Sequence, residues 1–251
     1  MSSIDPAHDS LYRMRQRTTG KRERRTRMIV LEAVSHDFDG RPVLVDIDLT
    51  LAERRIGIVG ANGSGKSTFA RLLNGLVVPN HGHVLIDGID TRKDVKAIRR
   101  KVGFVFQNPD HQIVMPIVAE DMAFGLKARK IPKGEIDGRI DAALARYGLG
   151  HLRERPVHTL SGGEKQLVAL SAVLVTEPTI IVFDEPTTLL DLRNRNRVAE
   201  AIDALPHPTI VVTHDLDLLS GFERVLMIAD GRVAADGRPA DVLAFYREQM
   251  R

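Results

Sequence analysis

Cysteine is absent from the 251-residue sequence, and its absence excludes several classes of site. There can be no disulfide, thiolate metal site, iron–sulfur cluster or cysteine nucleophile, and the composition fits a reducing compartment. Long hydrophobic runs are also missing. No segment approaches the ~18 apolar residues of a membrane-spanning helix, and the N-terminus lacks the apolar segment of a signal peptide. We therefore expect a soluble chain that acts at a membrane only through a partner.

Charge of one sign is concentrated at one end of the chain. The net formal charge of +3 suits a nucleic-acid-binding protein at first sight. Residues 1–27, however, hold eight basic and three acidic side chains, whereas the rest holds 28 basic and 30 acidic ones. We expect residues 1–27 to be a disordered, solvated extension and no nucleic acid to be a partner. Contact of this basic run with RNA or anionic lipid is the alternative, and Met28 is a candidate natural start.

From residue 28 onward the pattern is that of an α/β domain with ample apolar content for a core. Apolar runs bounded by turn residues predict strands, and apolar spacings of three and four predict helices. The predicted strands are 29–34, 43–51, 56–59, 83–86, 102–106, 179–183, 209–212 and 225–228, and Asp230, Gly231, Arg232 and then Gly237 fit a strand–turn–strand that continues from the last of them. The predicted helices are 66–74, 118–128, 135–147, 164–175, 192–205 and 240–246. The helical stretch over about 108–165 predicts a helical subdomain inserted into a core of about 28–107 and 166–251.

The segment that begins at Gly60 carries the most specific chemistry. It reads Gly-Ala-Asn-Gly-Ser-Gly-Lys-Ser and matches the P-loop pattern G-x-x-x-x-G-K-[ST] between a predicted strand and a predicted helix. Its glycines let backbone N–H groups converge on phosphate oxygens, and the helix N-terminus adds partial positive charge. Lys66 supplies a full charge for the β- and γ-phosphates, and the Ser67 hydroxyl can bind Mg²⁺. The predicted nucleotide-binding residues here are Gly60, Asn62, Gly63, Ser64, Gly65, Lys66, Ser67 and Thr68.

A second element, the apolar run 180–183 followed by Asp184 and Glu185, supplies two carboxylates. A magnesium ion that bridges two phosphates needs such acidic support. Asp184 is the candidate magnesium partner, and Glu185 is the candidate general base for an attacking water. Such a run is a weak signal alone and a strong one together with a P-loop. The sequence therefore predicts hydrolysis of a nucleoside triphosphate.

The run Leu-Ser-Gly-Gly-Glu over residues 160–164 resembles the signature motif of the ABC ATPases, with Glu164 where glutamine is more common. Ser161 and the glycines cap a predicted helix whose free N–H groups form an anion site. The resemblance implies a P-loop NTPase fold of the ABC ATPase type over 28–251, a mixed sheet core with an antiparallel β edge and an inserted helical subdomain. It also implies a head-to-tail homodimer, in which Ser161, Gly162 and Gly163 of one subunit close on the γ-phosphate bound by the other.

Further residues match the motifs of this family in chain order. Phe38 matches the aromatic residue that stacks on adenine, with core packing as the alternative. Gln107 matches the Q-loop glutamine at the magnesium site, and His214 matches the switch histidine that contacts the γ-phosphate. Asp191 matches the D-loop aspartate of the dimer interface, although Leu189 stands where Gly or Ala is usual. The resemblance thus implies ATP and Mg²⁺ as cofactors, with the catalytic residues Glu185, His214 and Gln107, the magnesium ligands Ser67, Gln107 and Asp184, and the nucleotide contacts Phe38, Ser161, Gly162, Gly163, Glu164 and Asp191.

The stretch from Gln107 to Gly125 resembles the same stretch in ATPases of energy-coupling factor importers. In that family it shapes a groove for coupling helices of a transmembrane scaffold subunit. Apolar side chains beside carboxylates suit an amphipathic partner helix with basic residues, whereas packing inside the helical insertion is the alternative for Phe124. The groove residues are Gln112, Met115, Glu120, Asp121 and Phe124.

The run 184–194 is most similar to the ATPases of biotin importers, followed by those of cobalt or nickel importers. This similarity implies a peripheral ATPase at the cytoplasmic face of the bacterial plasma membrane. It would work with the scaffold subunit and with a separate substrate-binding membrane subunit that selects the cargo. Another ABC importer or exporter, and a soluble ATPase that acts on nucleic acid through the basic extension, are the alternatives.

Overall fold

Two β-sheets and seven α-helices make up the part of the chain that the computed structural model describes, residues 28–250. The predicted basic extension, residues 1–27, lies outside the described residues. The ten strands and seven helices confirm the mixed α/β fold of the sequence analysis, including its antiparallel edge.

The smaller sheet is antiparallel and has the strand order β2-β1-β4-β5. Its strands are β1 (Ile29–Phe38), β2 (Arg41–Leu51), β4 (His81–Ile86) and β5 (Ile89–Asp90). Asp39 and Gly40, both with positive φ, form the tight turn that joins β1 to β2, as their residue types predict. One face of this sheet packs on a buried cluster that includes Leu31, Leu44 and Phe69.

The larger sheet has the strand order β10-β9-β3-β8-β7-β6 and is parallel except for the pair β9–β10. Its strands are β3 (Arg55–Val59), β6 (Val102–Val105), β7 (Ile180–Asp184), β8 (Thr209–Val212), β9 (Arg224–Ala229) and β10 (Arg232–Gly237). Every residue of β3, β6, β7 and β8 is buried, which explains their continuous apolar sequences. Because these four strands are parallel, the segments that follow them meet at one edge of the sheet.

The helices are α1 (Lys66–Leu72), α2 (Val95–Lys101), α3 (Val118–Ala128), α4 (Lys133–Ala145), α5 (Gly162–Leu174), α6 (Leu192–Asp203) and α7 (Pro239–Gln249). The sequence analysis missed α2 and β5. Ile98 is the one buried residue of α2, so this seven-residue helix has no apolar stripe that could identify it. β5 has only two residues and carries no period of its own.

Helices α3 and α4, with short 3₁₀ turns, lie between β6 and α5, where the sequence predicts a helical insertion. Their apolar faces do not form a separate core. Met122 and Leu144 belong to the same buried cluster as Leu167 of α5 and Phe183 of β7. The inserted helices are therefore packed onto the larger sheet through α5.

Candidate nucleotide-binding site

A cavity of about 660 Å³ opens at the edge of the larger sheet where β3, β7 and β8 end. Its volume is in the range of small-ligand and cofactor sites. The lining brings together three segments that are far apart in the chain: the P-loop, Glu185 and His214, with Gln107 beside them. The sequence predicted all of these as site residues.

Two glycines shape the P-loop backbone, and any other residue at either position would force the neighbouring backbone to move. A Cβ on Gly60 would lie 2.2 Å from the carbonyl oxygen of Ile228, and one on Gly65 would lie 2.7 Å from that of Val43. Gly65 also has a φ of 103°, in the region that favours glycine. Close backbone packing therefore holds the loop, and α1 begins directly after it.

Lys66, the first residue of α1, is buried and directs its ammonium group at the loop itself. Its Nζ donates to the carbonyl oxygens of Gly60 at 2.8 Å and Ala61 at 2.9 Å. Burial lowers the pKa of Lys66, and the charges of Glu185 and Asp184 partly oppose that effect. The positive charge thus lies at the cavity wall between the loop and two carboxylates.

Ser67 and Asp184, which are 117 positions apart in the chain, are in direct contact. The Ser67 hydroxyl donates to Asp184 Oδ1 at 2.8 Å, and Arg71 Nη2 lies 3.8 Å from Oδ2. Asp184 is only 2% exposed, and burial raises the pKa of its carboxyl, an effect that Ser67 and Arg71 partly offset.

This pair of oxygen donors fits Mg²⁺. Magnesium in nucleotide sites is bound by one or two protein oxygens together with phosphates, and a cation would stabilise the charged form of the buried Asp184. Within residues 28–250 no group of three or more His, Cys, Asp or Glu side chains is arranged to hold a metal ion.

Glu185 and His214 form a second contact at the cavity. Glu185 Oε2 accepts from the backbone N–H of His214 at 3.3 Å and lies 2.7 Å from its Nδ1. Glu185 also has a φ of 52°, an unusual backbone conformation for a residue with a side chain and one that is concentrated at functional sites.

Besides Ala61 inside the P-loop, four residues of the lining were missed by the sequence analysis: Val43, Thr188, Tyr246 and Met250. Tyr246 belongs to α7, and its hydroxyl donates to the Gly60 carbonyl at 3.4 Å. Burial raises the pKa of the Tyr246 phenol, and the charge of Glu185 raises it further. Only the packing of α7 against the sheet brings Tyr246 and Met250 to the cavity, so no local sequence signal could have identified these two residues.

Phe38 lies at the end of β1, outside the lining of this cavity. Its ring is 49% exposed and meets the ring of His36 edge to face at 4.7 Å. That exposure excludes core packing, the alternative considered for Phe38 in the sequence analysis. Its stacking on adenine stays a prediction.

The residues of the signature motif lie outside the nucleotide cavity of the same chain. Ser161 caps α5: its side chain accepts from the Glu164 N–H, and Glu164 Oε2 accepts from the Ser161 N–H at 2.8 Å. The Ser161 hydroxyl also donates to Glu164 Oε2 at 2.7 Å, and this bond together with the one from the Ser161 N–H lowers the pKa of Glu164. Gly163 packs so tightly on α6 that a Cβ would lie 2.3 Å from the side chain of Asn194. Gly162 lines a different cavity, of about 380 Å³, together with Leu189 and Leu190.

Asp191, the predicted interface residue, is exposed and caps α6, where its carboxylate accepts from the Asn194 N–H at 2.8 Å. Leu189, at the departure from the family pattern, is 98% exposed and has a φ of 63°. The surface beside α6 therefore presents an apolar side chain that this chain alone does not cover.

The predicted partner groove corresponds to a cavity of about 320 Å³ between α2, α3 and α5, and its lining contains Gln112, Asp121 and Phe124. Met115 and Glu120 are not part of that lining. Phe124 is 52% exposed, which excludes the alternative that it packs inside the insertion. Asp121 is buried, and its Oδ1 accepts from the N–H groups of Val114 and Met115. Its carboxylate therefore stabilises the wall of the groove.

Comparison with known proteins agrees with this geometry. A family model described as ABC transporter matches residues 44–188. An ABC transporter ATP-binding protein of Deinococcus radiodurans is 65% identical over 89% of this chain and 99% of its own length. The biotin transport ATP-binding protein BioM of Rhizobium etli is 50% identical over 88% of this chain and 98% of its own. The energy-coupling factor transporter ATP-binding protein EcfA1 of Halalkalibacterium halodurans is 42% identical over 85% and 80%.

Among solved structures, cbiO1 from Clostridium perfringens, part of the transporter complex cbiONQ, is similar to this chain with a TM-score of 0.76. The two are 34% identical, and the match covers 88% of this chain and 93% of the other. No helix within residues 28–250 combines the length and the apolar character that crossing a membrane requires.

Proposed function

Because the chain belongs to the ABC transporter ATPase family, we propose that it hydrolyses ATP to drive an energy-coupling factor importer whose cargo is biotin. The proposal starts from the family's activity, which is ATP hydrolysis coupled to transport. It also starts from relatives that are named for energy-coupling factor transport and biotin transport. The residues that perform the chemistry, the metal and the cargo are the proposal.

The single observation that carries the chemistry is the convergence of Lys66, the Ser67–Asp184 pair and the Glu185–His214 pair on one cavity wall. Lys66 exchanges the Gly60 and Ala61 carbonyls for the β- and γ-phosphates of ATP. Ser67 and Asp184 hold Mg²⁺, which neutralises phosphate charge. Glu185 orients the attacking water and accepts its proton, and His214 contacts the γ-phosphate.

The position of the signature motif supports a dimer. ABC ATPases act as dimers with transmembrane subunits. Ser161 and Gly162 lie outside the cavity that contains Lys66, so they can reach a γ-phosphate only in another subunit. In a homodimer of this chain, the exposed N-terminal turn of α5 closes the nucleotide site of the second copy, and Leu189 is covered by that copy.

The groove that contains Phe124 is the docking site for the transmembrane scaffold subunit. Its exposed aromatic ring provides apolar surface, and the partner is an amphipathic coupling helix. The scaffold holds the chain at the cytoplasmic face of the plasma membrane. A substrate-binding membrane subunit selects the cargo.

Cargo is tested by reconstitution. The chain is purified with the scaffold and substrate-binding subunits of a biotin importer, incorporated into vesicles and supplied with Mg²⁺-ATP and labelled biotin. Biotin uptake that requires ATP and is lost in Glu185→Gln is the expected result. Uptake of cobalt or nickel but not biotin would contradict the cargo, and failure of the chain to associate with any membrane subunit would contradict the importer.

A further inference from the structure

Arg195, the fourth residue of α6, makes a two-point ion pair near the site without lining the nucleotide cavity. Its Nε donates to Asp215 Oδ2 at 2.6 Å, and its Nη2 donates to Oδ1 of the same carboxylate. The Asp215 side chain is only 10% exposed, and Arg195 lowers its pKa. Two-point, partly buried contacts of this kind fix geometry far better than exposed ion pairs.

Asp215 is the residue directly after His214, and it connects three segments. Its Oδ2 also accepts from the Thr187 hydroxyl at 3.4 Å, two positions after Glu185. Its own N–H donates to the Thr213 hydroxyl at 2.9 Å. The backbone on both sides of His214 is therefore tied to α6 and to the loop after β7.

We propose that Arg195 is a positioning residue for ATP hydrolysis: through Asp215 it fixes the backbone of residues 213–215 and so sets His214 against Glu185. The proposal rests on the roles given above to Glu185 and His214, and it does not depend on the cargo. Arg195 itself touches no reacting group; it removes the freedom of the loop after β8 to move the imidazole away from the Glu185 carboxylate, where it lies 2.7 Å from Oε2.

A second arginine–aspartate pair in the same chain provides a matched control that distinguishes positioning of His214 from a purely structural role of Arg195. Arg224 makes the same two-point contact with Asp236, with both nitrogen–oxygen distances at 2.6 Å, and it joins β9 to β10 away from the cavity lining. If such pairs only stabilise the fold, loss of either one should affect hydrolysis equally. If Arg195 positions His214, only its loss should slow the chemical step.

The first test compares Arg195→Met, Arg195→Lys and Arg224→Met in the full chain by steady-state hydrolysis of Mg²⁺-ATP and by thermal unfolding. We expect Arg195→Met to lower kcat at least ~10-fold with little change in KM, because misplacement affects the reaction more than ground-state binding. Arg195→Lys should retain an intermediate kcat, since it keeps the charge but not the two-point contact. Arg224→Met should leave kcat within about twofold of the parent.

The second test is a double-mutant cycle with His214→Ala. If Arg195 acts through His214, Arg195→Met should add less than about twofold once the imidazole is absent. The same fold-loss in both backgrounds would overturn the proposal. So would parental kcat in Arg195→Met, a change in KM alone, or parental activity in His214→Ala. If Arg195→Met does not fold, the cycle is run with Arg195→Lys. Failure of biotin uptake would contradict only the cargo, because the cycle measures hydrolysis by this chain.

Discussion

The Nδ1 atom of His214 lies 2.7 Å from Oε2 of Glu185, although the two residues follow different strands and are 29 positions apart. The contact follows from the parallel pairing of β7 with β8, in which Asp184 is the register partner of Val212. A carboxylate and an imidazole that lie together at the nucleotide cavity form a unit that can activate water. The first prediction concerns this unit.

Glu185→Gln should bind ATP and hydrolyse it at least ~100-fold more slowly, the scale of lost acid–base catalysis. The amide oxygen can still accept from His214 Nδ1, so the site keeps its shape and loses only its base. Single-turnover hydrolysis, with ATP binding measured in parallel, separates these steps. Glu120→Gln, an exposed carboxylate outside the cavity lining, is the control. Hydrolysis by Glu185→Gln at the parental rate would show that another group is the base.

Lys66→Ala should weaken ATP binding itself. The ammonium group is the one cation among the residues that line the cavity, and it lies beside the loop carbonyls where the phosphates are expected to bind. A charge-assisted contact to phosphate contributes about 1.5–3 kcal/mol, or roughly 10- to 150-fold in Kd. Titration with a fluorescent ATP analogue measures the loss, and Lys96→Ala, an exposed lysine of α2 outside the cavity lining, is the comparison. ATP affinity equal to the parent's would contradict the P-loop assignment.

Asp184→Asn should have opposite effects on stability and activity. Burial raises the pKa of Asp184, so the ionised form costs folding free energy above that pKa. The neutral amide avoids this cost while still accepting from Ser67, and we expect a gain of about 1 kcal/mol at pH 7, or 2–4 °C in Tm. The Mg²⁺ concentration for half-maximal hydrolysis should rise about 10- to 100-fold.

The pH dependence of Tm checks the electrostatic part of this prediction. The advantage of Asp184→Asn over the parent should be full above the raised pKa and should shrink as the pH falls through it, because the parent then becomes neutral as well. A stability difference that does not change with pH would mean that packing, not charge, distinguishes the two proteins. An unchanged Mg²⁺ requirement would remove Asp184 from the metal site.

The sequence was sufficient for residues whose role depends on local pattern, and insufficient where tertiary packing decides. Lys66, Ser67 and Asp184 stand in motifs that presuppose a strand, a loop and a helix, and the parallel sheet then brings them together. Arg195 and Asp215 are two of many charged residues, and only the packing of α6 beside the loop after β8 selects them as a pair. Tyr246 reaches the P-loop for the same reason, through the packing of α7.

Gly163→Ala tests whether the second glycine of the signature motif is required by packing within the chain. The added methyl would lie 2.3 Å from the Asn194 side chain at the start of α6, a clash that movement of either helix must relieve. Overpacking of this kind costs about 1–3 kcal/mol. We therefore expect a lower Tm and slower hydrolysis, because relief of the clash displaces the turn of the signature motif, the first turn of α6 that Asp191 caps, or both.

A second change at Asn194 determines which explanation of Gly163 is correct. Asn194→Gly removes the three atoms that lie nearest to the new methyl, so it should restore part of the Tm lost in Gly163→Ala. Gly138→Ala, in the exposed part of α4 with open space around it, should instead raise stability by up to about 1 kcal/mol, as alanine does in a helix. If Gly163→Ala keeps the parental Tm yet loses ATP hydrolysis, the glycine is required by the nucleotide of the second subunit and not by Asn194.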